Sequence, residues 1–394
     1  MVLLMISFVA MVPMTMAFGG WARDEAVAGS ARCLGDLTAS SVLAEYDRDL
    51  WSRYQLLGYY GTEGRTADRI AYYLGSSWEG KDYIDWEVSQ VSLYPYPLTD
   101  RDNLMEQIRI QGLLDTGEDL LQEDTPQVHT WREDPRPERV LQDSATLAGL
   151  PTARTGVGGG IADYVDLLGN LSSFSDVVEE GSDAFWTCQY IQAHFPNTLD
   201  DKGLGETFFR GEMEYILCGH PSDEDNREGA QSRILAVREV LNLLYLEQTP
   251  SKTILIDVAF AWLPPPAAFL AKQATIAVWA YLESLNDYNV LITGGVVPLM
   301  KDEDSWAVDV ESALTNTNPA YIDTGNQSGY GYEDYLTLLL YLMDGNTRLT
   351  RMMDVIQINM RYLYNGWFLL SERMCGVQYV IRVNGKEYFF ADAY

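Results

Sequence analysis

The first 22 residues of this 394-residue chain carry no charged side chain. The segment, Met1 to Ala22, is almost wholly apolar, and a helix of about 20 residues rises roughly 30 Å, which is the hydrocarbon thickness of a bilayer. Any fold must therefore provide an apolar environment for this segment. We predict a transmembrane anchor over residues 1–22. The protein is then expected in the cell membrane as a single-pass protein, with its C-terminal domain outside the cytoplasm.

Two other interpretations of this segment remain open. It can be a secretory signal peptide, with Thr15 and Ala17 as a weak cleavage pattern, although a basic N-terminal region is missing. It can also be a buried core helix, for which 22 uncharged residues is long. The anchor and the signal peptide both export the rest of the chain. Under the anchor interpretation, membrane lipid is the partner of residues 1–22.

The segment that follows has helical spacing. Gly58 and Gly61 can end the helix, and the pattern predicts an amphipathic stalk helix over residues 23–60. The alternative is an ordinary first helix of a domain that follows a signal peptide. The recurring apolar or small residues are Val27, Ala31, Leu34, Leu37, Val42, Tyr46, Leu50, Tyr54 and Leu57.

Residues 61–394 are expected to form an extracytoplasmic α+β domain. Residues 83–93 alternate like a strand, and Asn384-Gly385 separates two β-rich runs within 379–390, which predicts a β-hairpin. A loose insertion is expected around residues 116–206. The further predicted helices span 100–114, 232–246, 253–263, 267–285, 332–343 and 346–365.

The predicted fold class is α+β rather than an alternating βαβ ladder. It comprises a long N-terminal transmembrane and stalk helix, followed by a helix-rich ectodomain with antiparallel β elements and a C-terminal β-hairpin. The helices over 253–263 and 267–285 carry internal charges at Asp257, Lys272 and Glu283, so we expect core helices there rather than membrane spans.

Charge excludes one class of function. The chain has 27 Lys and Arg against 57 Asp and Glu, a net charge of −30, so no nucleic-acid partner is expected. A hydrophobic content of 47% argues against intrinsic disorder.

The four cysteines lie far apart, without zinc spacing, so they are either disulfide-bonded or small buried hydrophobic residues.

Four segments partly resemble motifs that bind dinucleotides, phosphate or calcium, but none of them matches its motif fully. Residues 289–295 lack the further glycines of a dinucleotide turn, and residues 58–66 have the wrong spacing for a phosphate loop. The acidic turns at 223–225 and 302–304 lack the glycine and distal glutamate of a calcium loop. We therefore predict no catalytic, cofactor-binding or metal-ligating residues, no cofactor and no enzymatic activity. The histidines without a nucleophile motif are His129, His194 and His220.

Several segments together resemble the TadE/TadG-like bacterial envelope proteins, which have a pilin-like N-terminal helix and a large ectodomain of unknown function. These segments span residues 41–61, 94–108, 214–246, 332–342 and 351–361. The resemblance implies a structural or accessory component of tight-adherence (Flp-type) pilus assembly that acts through protein–protein contacts. Its implied partners are other envelope or pilus subunits, with a homo-oligomer as a further option.

Two features depart from the pilin pattern. The chain has no short basic leader before its apolar helix, and no acidic residue occurs before Asp24. These departures weaken the expectation that the protein is incorporated into a pilus filament.

A rival interpretation is a secreted polysaccharide hydrolase with a cleaved signal peptide. Such an enzyme needs two carboxylates facing each other across a cleft and aromatic rings that stack on sugars. Tryptophans available for that role are Trp78, Trp86, Trp131, Trp186, Trp262 and Trp306.

Overall fold

The computed structural model describes residues 2–119, 139–141, 149–152, 181–317, 321–325 and 328–394. The chain forms two compact units. Unit 1 comprises Met1–Gln107 and Leu369–Tyr394, and unit 2 comprises Ile108–Phe368. Much of the loose insertion expected around 116–206 lies outside the described residues.

Unit 1 begins with one long helix, α1 (Val2–Leu43). Its C-terminal half packs into the core through Val27, Ala31, Ala39 and Val42, which are buried and recur at helical spacing. Gly35 lets the helix approach the sheet, because a Cβ there would overlap the Phe390 ring. The Gly35 carbonyl also accepts a hydrogen bond from the Tyr379 hydroxyl at 2.6 Å.

The expected transmembrane anchor is wrong. Across the residues that the structure describes, no helix combines the length and apolarity needed to cross a bilayer. Residues beyond Val27 are committed to the core of unit 1. The same finding argues against the expected single-pass localisation.

The helix predicted over 23–60 ends earlier in the structure, at Leu43. Asp47 then caps a second helix, α2 (Arg48–Tyr54), by accepting from the Leu50 backbone N–H at 3.2 Å. The other Asp47 oxygen pairs with Arg373 Nε at 3.0 Å. Asp47 thus starts a new helix where the apolar spacing alone predicts that the first helix continues. Its ion pair with Arg373, which lies far along the chain, helps to hold it in this position.

The core of unit 1 is completed by a three-stranded antiparallel sheet. Its strands are β2 (Trp86–Ser92), β4 (Gly376–Val383) and β5 (Lys386–Ala393), in the order β2-β4-β5. A two-residue strand β1 (Tyr59–Tyr60) pairs separately with β3 (Arg373–Met374), and α3 (Glu63–Ser77) packs on the same core.

The C-terminal hairpin predicted over 379–390 is confirmed. Val383 pairs with Lys386, so Asn384 and Gly385 form the two-residue turn, with φ of 48° and 79°. Positive φ at both positions is the reason Asn-Gly favours this turn. The α+β fold class is likewise present in the structure.

Unit 2 is built from helices. The helix Gly345–Leu363, α12, is buried on almost every side between Thr347 and Met360, and α7 (Asp223–Gln248) packs along α9 (Pro265–Ile292). The helices predicted at 232–246, 332–343 and 346–365 correspond to α7, α11 and α12. The helices are α4 (Arg101–Asp119, which begins in unit 1), α5 (Asp183–His194), α6 (Glu212–Cys218), α7 (Asp223–Gln248), α8 (Pro250–Phe260), α9 (Pro265–Ile292), α10 (Val310–Thr315), α11 (Tyr332–Leu342) and α12 (Gly345–Leu363).

The close approach at Gly35 gives a test of how α1 is held. Gly35→Ala should lower the free energy of unfolding by roughly 1–2 kcal/mol, because overpacking against Phe390 outweighs the gain in helix propensity. Gly29→Ala is the matched control on the same helix, since a Cβ there meets nothing within 4 Å. Denaturant unfolding measures both. A Gly35→Ala variant as stable as Gly29→Ala would contradict the packing of α1 on β5.

Candidate functional site

The histidines do not form a reactive site among the described residues. His194 is buried on α5, with its ring 4.5 Å from the ring of Tyr190. Burial, with Lys202 nearby, lowers the pKa of His194 to about 4, so this histidine is a neutral core residue. His220 is exposed, and its backbone exchanges two hydrogen bonds with the Asn226 side chain. His129 lies outside the described residues.

The carboxylates of the two acidic turns accept hydrogen bonds from nearby protein groups, and they do not converge on a cation site. Asp223 accepts from the Arg210 backbone N–H at 3.0 Å, and burial raises its pKa to about 6. Asp302 accepts from the backbone and hydroxyl of Ser305 at 2.9 and 2.7 Å. In the described parts of the chain, no group of three His, Cys, Asp or Glu residues could hold a metal ion.

The glycine-containing motifs also have structural roles. Residues 289–295 form the end of α9 and the turn after it, so no strand precedes the glycines as a dinucleotide site requires. Residues 58–66 contain β1 and the start of α3, where the Thr62 side chain caps the helix. All four cysteines are free thiols, and three of them are buried: Cys188, Cys218 and Cys375.

A buried charge network in unit 2 was not anticipated from the sequence. Arg238 on α7 donates to Asp287 on α9 at 2.9 Å, and neither side chain is more than 1% exposed. Lys301 pairs with Asp287 at 2.6 Å and also with Glu283. Burial would raise the pKa of Asp287, but Arg238 and Lys301 outweigh it and hold that pKa below its usual value.

The network also fixes a loop. Glu283 accepts from the backbone N–H groups of Ala307 and Val308 at 3.0 and 2.7 Å, and Lys301 donates to the Ser305 carbonyl at 3.0 Å. Every charge is thus matched by another charge or a backbone group, which burial of ions requires. We assign the network a structural role, the joining of α7, α9 and residues 301–308.

Buried carboxylates also occur at α6 and α12. Glu214 accepts from the Thr198 backbone at 2.9 Å and from the Tyr332 hydroxyl at 3.0 Å. Asp354 accepts from Thr152 and from the Tyr215 hydroxyl, and burial raises its pKa to about 6. Both carboxylates face protein donors inside the core rather than an open cleft, so they do not have the arrangement that glycoside hydrolysis needs.

The first candidate interaction surface is the exposed segment of α1, residues 8–26. Where the structure describes its side chains, every residue of this segment is exposed around the full circumference of the helix. Large apolar side chains follow its whole length: Phe8, Val9, Met11, Val12, Met14, Met16, Phe18 and Trp21. An apolar helix this exposed marks an interaction surface.

A shallow pocket of about 390 Å³ lies where the exposed segment enters the body of unit 1. Arg23, Lys81 and Tyr83 line it, with Ser30 behind them. The Arg23 guanidinium stacks on the Tyr83 ring at 5.2 Å, and Lys81 donates to the Ser77 carbonyl at 3.3 Å. The pocket is therefore cationic in an otherwise strongly acidic chain.

The second candidate surface is the apolar tip, residues 258–271, which joins α8 to α9. The inner faces of these helices meet the core of unit 2 through Ile256 and Ile276. The outer faces and the connection are exposed, with Trp262 at 79%. The expectation that 253–263 and 267–285 are core helices therefore holds for the inner face of α8 and for α9 from Thr275 onward, and it fails at the tip.

The other tryptophans of that set that the structure describes do not gather into a sugar-binding surface. Trp78 and Trp306 are buried in the cores of units 1 and 2. Trp86 packs partly buried against the core of unit 1, and Trp186 contacts Phe185 in an edge-to-face arrangement. Trp131 lies outside the described residues.

The fold and these surfaces define an α+β protein with two exposed apolar surfaces. The chain belongs to a family of unknown function (DUF5702), whose family model matches residues 133–385. No curated protein and no solved structure matches the chain.

Removing one partner from the buried charge network tests its role. Lys301→Met should lower the free energy of unfolding by about 3–5 kcal/mol, because Glu283 and Asp287 lose a buried cation. Lys272→Met is the matched control, since Lys272 pairs with the largely exposed Asp257 and should cost about 1 kcal/mol or less. Chemical denaturation compares the two. Equal costs would contradict the network's role.

The raised pKa of Asp354 predicts a pH dependence. An acid whose pKa is higher in the folded state binds its proton more tightly there, so its contribution to stability falls as pH rises from about 4 to 6. Between pH 4 and 7, the free energy of unfolding of wild type relative to Asp354→Asn should therefore fall by about 2 kcal/mol. Denaturant unfolding at several pH values measures this difference. A pH-independent difference would contradict it.

Proposed function

We propose that this protein is a structural or accessory subunit of a cell-envelope assembly of the tight-adherence pilus type. It acts through protein–protein contacts made by the exposed segment of α1. The observation that carries the proposal is the exposure of this apolar helix around its whole circumference. A single groove would cover one side of such a helix, whereas neighbouring helices packed around it would cover all sides.

The energetics favour helix packing at this segment. Full burial of a large apolar side chain contributes about 1.5–3 kcal/mol, so coverage of the eight exposed ones contributes about 12–24 kcal/mol, against an association cost of about 4–15 kcal/mol. A Cβ added at Gly19 or Gly20 would meet nothing within 4 Å, so a partner helix can approach the backbone closely there.

The rest of α1 supports this role. Residues from Val27 onward are held in the core of unit 1, so the exposed segment extends from a fixed base. The cationic pocket at Arg23 and Lys81 lies at that base and can receive a carboxylate of a neighbouring subunit. The resemblance to TadE/TadG-like proteins in residues 41–61 and 214–246 supports the assignment to a tight-adherence assembly.

Site-specific cross-linking in cells of the native host tests the proposal. Cys33 is the exposed thiol of the chain, so Cys33→Ser leaves three buried thiols. Met14→Cys in that background places one reactive thiol on the exposed segment. A benzophenone maleimide attached to that thiol should, on illumination, join it to a second copy or to another subunit of the pilus assembly, identified by mass spectrometry, because helices pack against that position.

Tyr94→Cys in the same Cys33→Ser background is the control. Tyr94 is highly exposed but lies away from α1 in sequence, after β2. It should give few or no adducts with these partners. Absence of adducts at Met14→Cys, or equal yields at both positions, would overturn the proposal.

A further inference from the structure

The apolar tip carries an inference that is independent of α1. Its 14 residues, 258–271, contain no charged side chain and no polar group except the indole N–H of Trp262. Large apolar side chains are exposed on both helices and at the connection between them. They include Val258, Trp262, Phe269 and Leu270, with Ile254 and Leu255 one turn below. A surface of this kind needs an apolar partner.

The backbone of the tip is adapted to a medium with few hydrogen-bond acceptors. The first N–H groups of a helix have no partner within that helix. At the start of α9, Pro264, Pro265 and Pro266 have no N–H, and the Ala268 N–H donates to the Pro264 carbonyl at 2.9 Å. On the α8 side, the Ala261 and Leu263 N–H groups bond to carbonyls within the turn. A protein groove could satisfy free N–H groups, but hydrocarbon could not.

Charge and length define how the tip would meet lipid. Asp257 and Lys272 form a 2.8 Å ion pair at its base, so the first charges encountered cancel each other. From that pair to the connection, α8 rises about 5 Å and α9 about 10 Å, which matches the depth of an interfacial element and is far short of a span. Trp262 at the far end is a residue typical of membrane interfaces.

We propose that the apolar tip inserts into one leaflet of a lipid bilayer, with the Asp257–Lys272 pair at headgroup level. The occupant is a lipid surface rather than a protein groove, because apolar side chains surround the tip and the backbone N–H groups at residues 264–266 and 268 are absent or paired within the turn. Insertion is driven by apolar burial, so zwitterionic lipid suffices and the acidic chain gains nothing from anionic lipid.

An environment-sensitive fluorophore on the full chain tests this proposal. Ala267→Cys in the Cys33→Ser background places the label on the exposed tip. With phosphatidylcholine vesicles, the emission of the label should shift to the blue, and lipids with nitroxides on their acyl chains should quench it. Labels at Tyr94→Cys should show neither change. Because α1 is also apolar, vesicle binding alone is not the readout.

A charged substitution then identifies what drives insertion. Phe269→Asp in the labelled chain should lower the apparent partition coefficient of the tip about tenfold or more, because an apolar ring is replaced by a carboxylate. Phe389→Asp is the control, because Phe389 has the same 61% exposure as Phe269 but lies on β5. Circular dichroism confirms that both variants fold.

Three results would overturn the proposal. One is a tip label insensitive to vesicles, and another is a label that responds to Phe389→Asp as strongly as to Phe269→Asp. The third is a spectral change that depends on protein concentration and needs no lipid, which would assign the tip to a second copy of the chain. The α1 cross-links at Met14→Cys are measured separately, so either proposal can fail alone.

Discussion

The mutual neutralisation of Arg238, Asp287, Glu283 and Lys301 is the constraint on which unit 2 depends. Each of these ions would be costly in the core by itself, and each becomes tolerable only because the others and several backbone groups are in place. The network therefore couples α7, α9 and the loop at 301–308 into one arrangement. The base of the apolar tip belongs to that arrangement, because α9 carries both.

Helix α1 meets two environments along one continuous backbone. From Val27 onward it is a core element, pressed against the sheet where Gly35 lacks a side chain. Before residue 27 no described side chain of the segment is buried. The composition of this segment is similar to that of a buried helix, yet no side chain in the described part of the chain buries it. Under the proposed function, neighbouring subunits would cover it.

Local patterns in the sequence predicted much of the fold, and the failures have physical causes. Asn384-Gly385 specified the hairpin because its turn geometry is local, and the helical period identified α7, α11 and α12. The end of α1 at Leu43 could not be predicted, since Asp47 pairs with Arg373, 326 residues away. The buried network was equally hidden, because charged residues 49 positions apart look like surface residues.

The candidate surfaces were predictable in composition but not in exposure. The sequence marks 1–22 and 253–285 as apolar, and from that alone a membrane span and two core helices were expected. Tertiary packing decides which apolar faces are covered. It buries Ile256 and Ile276 but leaves Trp262 and Phe269 outside, a distinction that depends on neighbours distant in the chain.

The order of the strands in unit 1 has a consequence for synthesis. The central strand β4 lies within the last 26 residues of the chain, Leu369–Tyr394, whereas β2 is made nearly 300 residues earlier. During synthesis on the ribosome, β2 and the sheet-facing side of α1 lack their partner β4 until all of unit 2 has been made. Unit 2 can fold during that time. A nascent chain of this topology leaves the apolar surface of unit 1 uncovered throughout the synthesis of unit 2.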